Sequence, residues 1–268
     1  MTLGINKDTT LCISLAARPS NIGTRFHNFL YAELGLDFVY KAFTTTDLAG
    51  AVAGIRALGI RGAGISMPFK RDCMPMLDAL DQSAVAIDAV NTIVNEDGHL
   101  TGYNTDVLAV QELLPQPDGQ AVVAGSGGMA SAALAALRGR GYEDLVVLAR
   151  NAETGRALAR MHGCDWIPEL GPRRPALLLN ATPQGMAGDS AAQLPFDDDA
   201  IAAAHTVFDV VAMPPRTPLI RRAEELGAST VTGDNVIALQ AAEQFAMYTG
   251  VRPSDEQISR ASAYSREV

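Results

Sequence analysis

The sequence predicts an α/β protein whose second half is a doubly wound parallel sheet. Short apolar runs alternate with amphipathic helical stretches, a glycine-rich turn joins one such run to a helix, and a Pro-rich break divides the 268 residues. A chain of this length holds one large domain or two of ordinary size. With 48% hydrophobic and 19% charged residues it can bury a sizeable core, and wholesale disorder is excluded.

Leu11 to Leu15 reads as the first strand, followed by a polar loop from Arg18 to Thr24. Phe26, Phe29, Leu30 and Leu34 recur at helical spacing, which predicts a helix over Arg25 to Leu34. Phe38 to Phe43 is strand-like, and Asp47 is a candidate cap for a helix whose inner face carries Leu48, Val52 and Ile55. Ile60 to Met67 reads as the next strand, with Pro68 at the start of another helix. Ala89 to Val94 and His99 to Tyr103 flank Asn95-Glu96-Asp97-Gly98, a hairpin turn.

Pro115-Gln116-Pro117-Asp118-Gly119 forms the break. Beyond it come a strand (Ala121–Ala124), the glycine loop, a helix, a strand (Leu145–Ala149) and a further helix. Leu177–Asn180, Val207–Val211 and Ser229–Val231 are further strands, and the chain is helical from Asn235 onward. Such βαβ succession implies a parallel sheet covered on both faces.

The net charge of −9 argues against a nucleic-acid or anionic-membrane partner, since either needs a basic face. Cys12, Cys73 and Cys164 are scattered, fitting neither a disulfide framework nor a zinc site. No metal is expected. Met1 to Thr10 lacks the apolar run of a signal peptide, and no stretch of about 18 apolar residues offers a membrane span. The expectation is a soluble cytoplasmic protein, monomer or homodimer, acting on a small molecule. His99, His162 and His205 are dispersed surface or loop residues. His27 reads as structural, Trp166 as packing after a short strand, and Asp197-Asp198-Asp199 as a loop and helix start.

Ala121 to Ala124 runs through Gly125-Ser126-Gly127-Gly128-Met129-Ala130 into a helix, a G-x-G-G-x-A turn. Gly125 permits the tight turn, Gly127 lets a pyrophosphate approach the backbone, and Ala130 lets the helix pack closely on the strand. The helix start offers free N–H groups and the positive end of its dipole. A dinucleotide site is the reading that follows. The next strand ends in Leu148-Ala149-Arg150-Asn151, without the acid that would take ribose hydroxyls. Arg150 suits a 2′-phosphate and so marks NADP.

In the first half, Ser66-Met67-Pro68-Phe69-Lys70 puts a lysine in the expected first helical turn, where the dipole opposes its charge and eases proton movement. Asp88 to Thr92 and Gly102 to Asp106 supply amide, hydroxyl and carboxylate groups at the hairpin ends. Read alone, these are equally caps and turn formers. Together, Pro68–Lys70, Ala89–Thr92, Asn104–Asp106, Gly125–Ala130, Asn180–Met186, Thr217–Leu219, and Gly233 with Gln240-Ala241-Ala242 resemble, in order, the motifs of the shikimate dehydrogenase family.

The resemblance covers nearly the whole chain and implies an N-terminal α/β substrate domain (1–104, joined by C-terminal helices 236–268). It also implies a Rossmann-like NADP-binding domain (105–235) and an active site in the cleft between the two. It implies Lys70 and Asp106 as the catalytic pair, with Ser66, Asn91 and Gln240 on ring hydroxyls. Gly125, Ser126, Gly127, Gly128, Met129, Ala130 and Arg150 would hold NADP, with Asn180, Thr182, Met213 and Gly233 near its nicotinamide half. The implied activity is NADP-dependent interconversion of shikimate and 3-dehydroshikimate or a close cyclic hydroxy acid.

The pattern departs at one end of the substrate. The family's S-x-S-P-x-x-H-N has Asn21, Gly23 and Thr24 where the serines and proline belong, although His27-Asn28 fits. Ala212 stands where the family often has tyrosine. These changes imply altered carboxylate recognition, with Arg18, Ser20, Asn21 or Arg25 as replacement donors. Quinate or another cyclic polyol is an alternative substrate. A non-catalytic NADP or metabolite sensor is the alternative from another class.

Overall fold

The apolar runs fold into two sheets, and contacts along the chain cluster into two units, 1–105 with 238–268 and 106–237. The computed structural model describes residues 4–267. Residues 1–3 and 268, the outer limits of the expected substrate domain and part of the stretch read for a signal peptide, lie outside the described residues.

In chain order the first unit contributes β1 (Thr10–Leu15), α1 (Ile22–Leu34), β2 (Phe38–Phe43), α2 (Leu48–Ala57), β3 (Gly62–Ile65) and β4 (Ala79–Leu80). It continues with α3 (Gln82–Val85), β5 (Thr92–Glu96) and β6 (His99–Tyr103). The second unit carries α4 (Thr105–Leu113, from its second residue), β7 (Ala121–Ala124), α5 (Gly128–Arg140), β8 (Leu145–Leu148), α6 (Ala152–His162) and β9 (Asp165–Ile167). Then follow β10 (Leu177–Asn180), α7 (Asp198–Ala203), β11 (Thr206–Asp209), α8 (Pro218–Glu225) and β12 (Ser229–Val231). Helix α9 (Gly233–Thr249) enters the first unit at Ala238, and α10 (Asp255–Arg266) completes it.

The first unit's sheet has the order β2-β1-β3-β5-β6-β4 and is mixed. Strands β2, β1 and β3 are parallel, while β5 runs antiparallel to both β3 and β6. Side chains alternate across β1, so Ile13 and Leu15 join a core with Val52 and Ile55 of α2, while Cys12 faces Phe26, Leu30 and Phe245 of α1 and α9. On β3, a Cβ at Gly62 would meet the Tyr248 ring at 2.2 Å. Glycine there is what lets α9 lie this close. The hairpin turns at Asp97-Gly98, both at positive φ, with the Gly98 N–H on Asn95 Oδ1 at 2.8 Å.

The second sheet is wholly parallel, in the order β12-β11-β10-β7-β8-β9. Its strand order reverses between β7 and β10, the switch point at which such sheets bind ligands. Helices α7 and α8 bury Ala200, Ile201, Leu219 and Ala223 against Val122, Leu178 and Val207.

Several boundaries differ from the sequence reading. Helix α1 starts at Ile22, because Asn21 already accepts the Arg25 N–H on its carbonyl. No helix begins at Pro68: Pro68 to Asp72 are turns leading to a short 3-10 segment, Met74–Met76. Lys70 therefore has no aligned helix dipole opposing its charge. Trp166 lies inside β9, not after a strand, with its indole N–H on the Ala149 carbonyl at 3.0 Å. The short β4 and α3 were not apparent as elements in the sequence.

Candidate active site

In the second unit, a cavity of about 1140 Å³ opens at the carboxyl ends of β7 to β10. The glycine loop 125–129, residues 148–151, 168–171, 181–184 and 195–197 line it. Gly125 is at φ +120°, and a Cβ there would stand 2.8 Å from the Ala181 carbonyl oxygen, so the turn closes only on glycine. Gly127 and Gly128 face open space. Asp47, Asn151, Asp197 and Thr217 cap their helices with side-chain oxygens, whereas α5 starts at Gly127 without a side-chain cap. Its first N–H groups, like those of α1, take no capping side chain, and at α5 they border the cavity. Met129 and Ala130 lie in the first turn, Ala130 fully buried.

Arg150 is exposed on the cavity wall and enters no ion pair among the described residues. Ser126 bridges from the glycine loop to Thr154 of α6, hydroxyl to hydroxyl, at 2.8 Å. Glycine loop, uncapped helix and unpaired arginine are the donor set a dinucleotide with an extra phosphate requires.

Asn180, at 0% exposure, spends its amide on protein: Nδ2 donates to Asp209 Oδ1 at 2.9 Å and to the Gln184 carbonyl at 3.1 Å. Its Oδ1 accepts the Thr182 N–H at 3.0 Å and hydroxyl at 2.7 Å. Asp209 also accepts from Val211 N at 3.0 Å and from the Thr217 hydroxyl at 2.6 Å. Burial lifts the Asp209 carboxyl above its usual range, against the pull of these donors. Asn180 thus shapes the loop from which Thr182 lines the cavity. Met213 is 63% exposed, its carbonyl tied to Ala187 N at 3.0 Å. Gly233 lies against Val210, with no room for a Cβ. Asp106 stands in the first turn of α4, where the dipole favours an acid.

In the first unit, the turn carrying Ser66 and Lys70 is strapped to the Asn91 segment. Ile65 N donates to the Asn91 carbonyl at 2.7 Å, and Val90 N to the Lys70 carbonyl at 2.8 Å. Ser66 is exposed and Lys70 half-buried. Asn91 is 3% exposed, its Oδ1 taking donors from Thr92 and Thr105. Gln240 is half-buried on α9. One turn later Gln244, 6% exposed, bonds Thr92 and Asn91. Sequence reading missed Gln244; its spacing of four from Gln240 was the available signal.

Asn21 is exposed at the start of α1, and Gly23 contacts the Tyr40 ring, 3.6 Å from where a Cβ would stand. Arg25 is not a spare donor. Its Nε bonds the Tyr264 carbonyl at 3.1 Å, its guanidinium stacks 4.6 Å over the Tyr264 ring, and Glu267 is 3.7 Å away.

Residues 21–93 match the family model of the shikimate dehydrogenase substrate binding domain. The shikimate dehydrogenase-like protein of Haemophilus influenzae is 51% identical over 267 residues, 98% of each chain. The shikimate dehydrogenase (NADP(+)) of Pelodictyon phaeoclathratiforme is 35% identical, over 84% of this chain and 86% of its own. This chain belongs to the shikimate dehydrogenase family. A solved shikimate 5-dehydrogenase-like structure superposes with a TM-score of 0.95 at 50% identity, covering 98% of this chain and 100% of that one. The Thermus thermophilus shikimate 5-dehydrogenase, in complex with NADP(H) and shikimate, gives 0.83 at 28% identity, over 96% and 99%. The family's α/β architecture, with its Rossmann-like second sheet, is the one found here, and its members are oxidoreductases. Among the described residues no helix is long and apolar enough to cross a membrane, and no cluster of metal-ligating side chains occurs.

Proposed function

We propose that this chain is an NADP-dependent oxidoreductase interconverting shikimate and 3-dehydroshikimate, or a close cyclic hydroxy acid with altered carboxylate recognition. The observation that carries the reading is the cavity at the β7/β10 switch point, with its uncapped α5 start and unpaired Arg150. On this reading, residues 105–235 form the NADP domain, and residues 1–104 with 236–268 form the substrate domain.

NADP supplies hydride exchange when bound. The backbone of Gly125 to Ala130 receives the pyrophosphate, Arg150 pairs with the 2′-phosphate, and Thr182, Met213 and Gly233 border the nicotinamide end. Lys70 delivers a proton to the carbonyl oxygen as it becomes an alcohol, and recovers it in the reverse direction. Asp106 is the carboxylate assigned to the same catalytic pair. Ser66, Asn91 and Gln240 hold ring hydroxyls. At the carboxylate end, Gly23 contributes no side chain, and Asn21, Ser20 and Arg18 are the exposed donors nearby in sequence. Each lost hydrogen bond to a charged group costs about 1.5–3 kcal/mol, so efficiency with shikimate falls unless one of these replaces it.

The test is NADP⁺ reduction with shikimate and with quinate, read by NADPH absorbance, in wild type and Lys70→Ala. Turnover is expected in the wild type and to drop by about 10²–10⁴-fold in the variant, the usual contribution of a proton-transfer group. NADP binding without turnover of any cyclic hydroxy acid would overturn the reading in favour of a sensor.

A further inference from the structure

The buried polar groups of the first unit form a chain that begins on α9 and ends at Asn91. Gln244 donates from Nε2 to the Thr92 hydroxyl at 2.9 Å and to the Asn91 carbonyl at 3.3 Å. An amide nitrogen only donates, so the Thr92 oxygen accepts there and turns its own proton onward. The acceptor is Asn91 Oδ1, 2.8 Å away. The same oxygen takes the Thr105 backbone N–H at 2.8 Å and the Thr105 hydroxyl at 3.1 Å. Since a backbone N–H cannot accept, the Thr105 contact fixes which end of the Asn91 amide faces inward. Nδ2 is left directed away from this cluster, as a donor.

Gln244 also packs beside strand β3: a Cβ at Gly64 would stand in ordinary contact with its Nε2 at 3.6 Å, while the Tyr40 hydroxyl, at 2.8 Å, is what requires glycine there. Thr92 and Thr105 are at 0% exposure, and an apolar filling would avoid the desolvation of so many polar atoms. The product of the network is one amide held at a fixed orientation.

We propose that Gln244 is a positioning residue: through Thr92 it holds Asn91 so that Nδ2 donates to a hydroxyl oxygen of the substrate ring. This rests on the proposed function and adds a residue to the same site. It assigns Gln244 a role distinct from that of Gln240, which touches substrate itself on that reading.

Steady-state kinetics of wild type, Gln244→Met, Gln244→Glu, Asn91→Ala and the Asn91→Ala/Gln244→Met double variant test it, with shikimate and NADP⁺. Methionine keeps the length and loses the donor, so KM for shikimate is expected to rise about tenfold, the worth of one hydrogen bond. KM for NADP⁺ should stay within about twofold, and kcat should change less than KM for shikimate. Glutamate should act in the same direction, because a carboxylate draws the Thr92 proton away from Asn91. In the Asn91→Ala background the methionine should add nothing, since the two act as one unit.

An unchanged KM in Gln244→Met, or the same rise with Asn91 absent, overturns the assignment. If Gln244→Met fails to fold, Thr92→Val should reproduce the KM rise and Thr92→Ser should restore it; equal KM in those two overturns it as well. A wild type that turns over no cyclic hydroxy acid removes the proposed function and this inference together. Normal wild-type turnover with an unresponsive KM removes only the role of Gln244.

Discussion

The two units both bury polar side chains, but they do so for different ends. In the parallel-sheet unit, β10 is apolar until it reaches Asn180 and β11 ends on Asp209, so the buried polar pair sits at the strand ends and fastens the loops that follow. The cavity there is bordered by backbone at the glycine loop and the start of α5. In the mixed-sheet unit, the polar cluster of Asn91, Thr92, Thr105 and Gln244 lies within the fold, its side chains hydrogen-bonded to one another. A site made of backbone tolerates change around it if the loops hold. A site made of interlocked side chains depends on each member.

The largest expected effect tests the fastening. Asp209→Ala would leave Asn180 Nδ2, Val211 N–H and the Thr217 hydroxyl without their acceptor in a region at or near 0% exposure. The cost is expected at about 3–5 kcal/mol, read by urea unfolding, with weakened NADP binding in the fraction that folds. A loss below about 1 kcal/mol would mean that the pair does not hold the loops, and the contrast between the units would fail.

Acid should separate the units next. His27 is fully buried and stacked on Tyr40 at 4.4 Å, and burial pushes its pKa down from 6.5 to about 3 against a weaker opposing pull from the Gln244 side chain. With the folded value depressed, the contribution is full above 6.5 and is lost as pH falls toward 3, because the unfolded chain takes the proton first. At pH 4.5 the loss is about 2–3 kcal/mol, at about 1.4 kcal/mol per pH unit. Asp209 has the opposite sign. Its raised value makes its contribution complete below the unfolded carboxylate pKa, and that contribution falls as pH rises through the folded one. Hydrogen exchange on the whole chain should show residues of the first unit opening first in mild acid. His27→Phe, which keeps the stacking, should flatten that dependence. An unchanged acid response in the variant would assign it to other groups.

The same contrast explains what the sequence disclosed. The glycine turn was legible because its geometry constrains residue type over a short contiguous stretch: Gly125 cannot be replaced where its Cβ would meet Ala181. The β-hairpin was legible through Asp97-Gly98, which must adopt positive φ. Gln244 was not, because its partners Asn91, Thr92 and Thr105 come from distant segments, and no local rule demands glutamine on a helix face. The turn after β3 was misread as a helix because Pro68 suits a first helical turn. The chain there makes successive turns instead, Phe69 N to the Ser66 carbonyl at 3.0 Å and Cys73 N to the Phe69 carbonyl at 3.1 Å, before Met74–Met76. Arg25 was offered as a carboxylate donor on sequence proximity alone, while its tertiary partners are Tyr264 and Glu267.

The smallest effect concerns a charged side chain on the wall of the backbone-built site. Arg150 is exposed, so its attraction for a 2′-phosphate is screened by water and salt and should amount to about 1–2 kcal/mol. Arg150→Ala is therefore expected to raise KM for NADP⁺ by about tenfold and to leave KM for NAD⁺, which lacks that phosphate, nearly unchanged. The difference should shrink as salt is added, whereas the contribution of the α5 backbone, common to both cofactors, should not separate them. Equal losses for NADP⁺ and NAD⁺ would place Arg150 on the shared pyrophosphate, and selectivity would then have to come from Ser126 and Thr154, whose paired hydroxyls bridge the glycine loop to the first turn of α6.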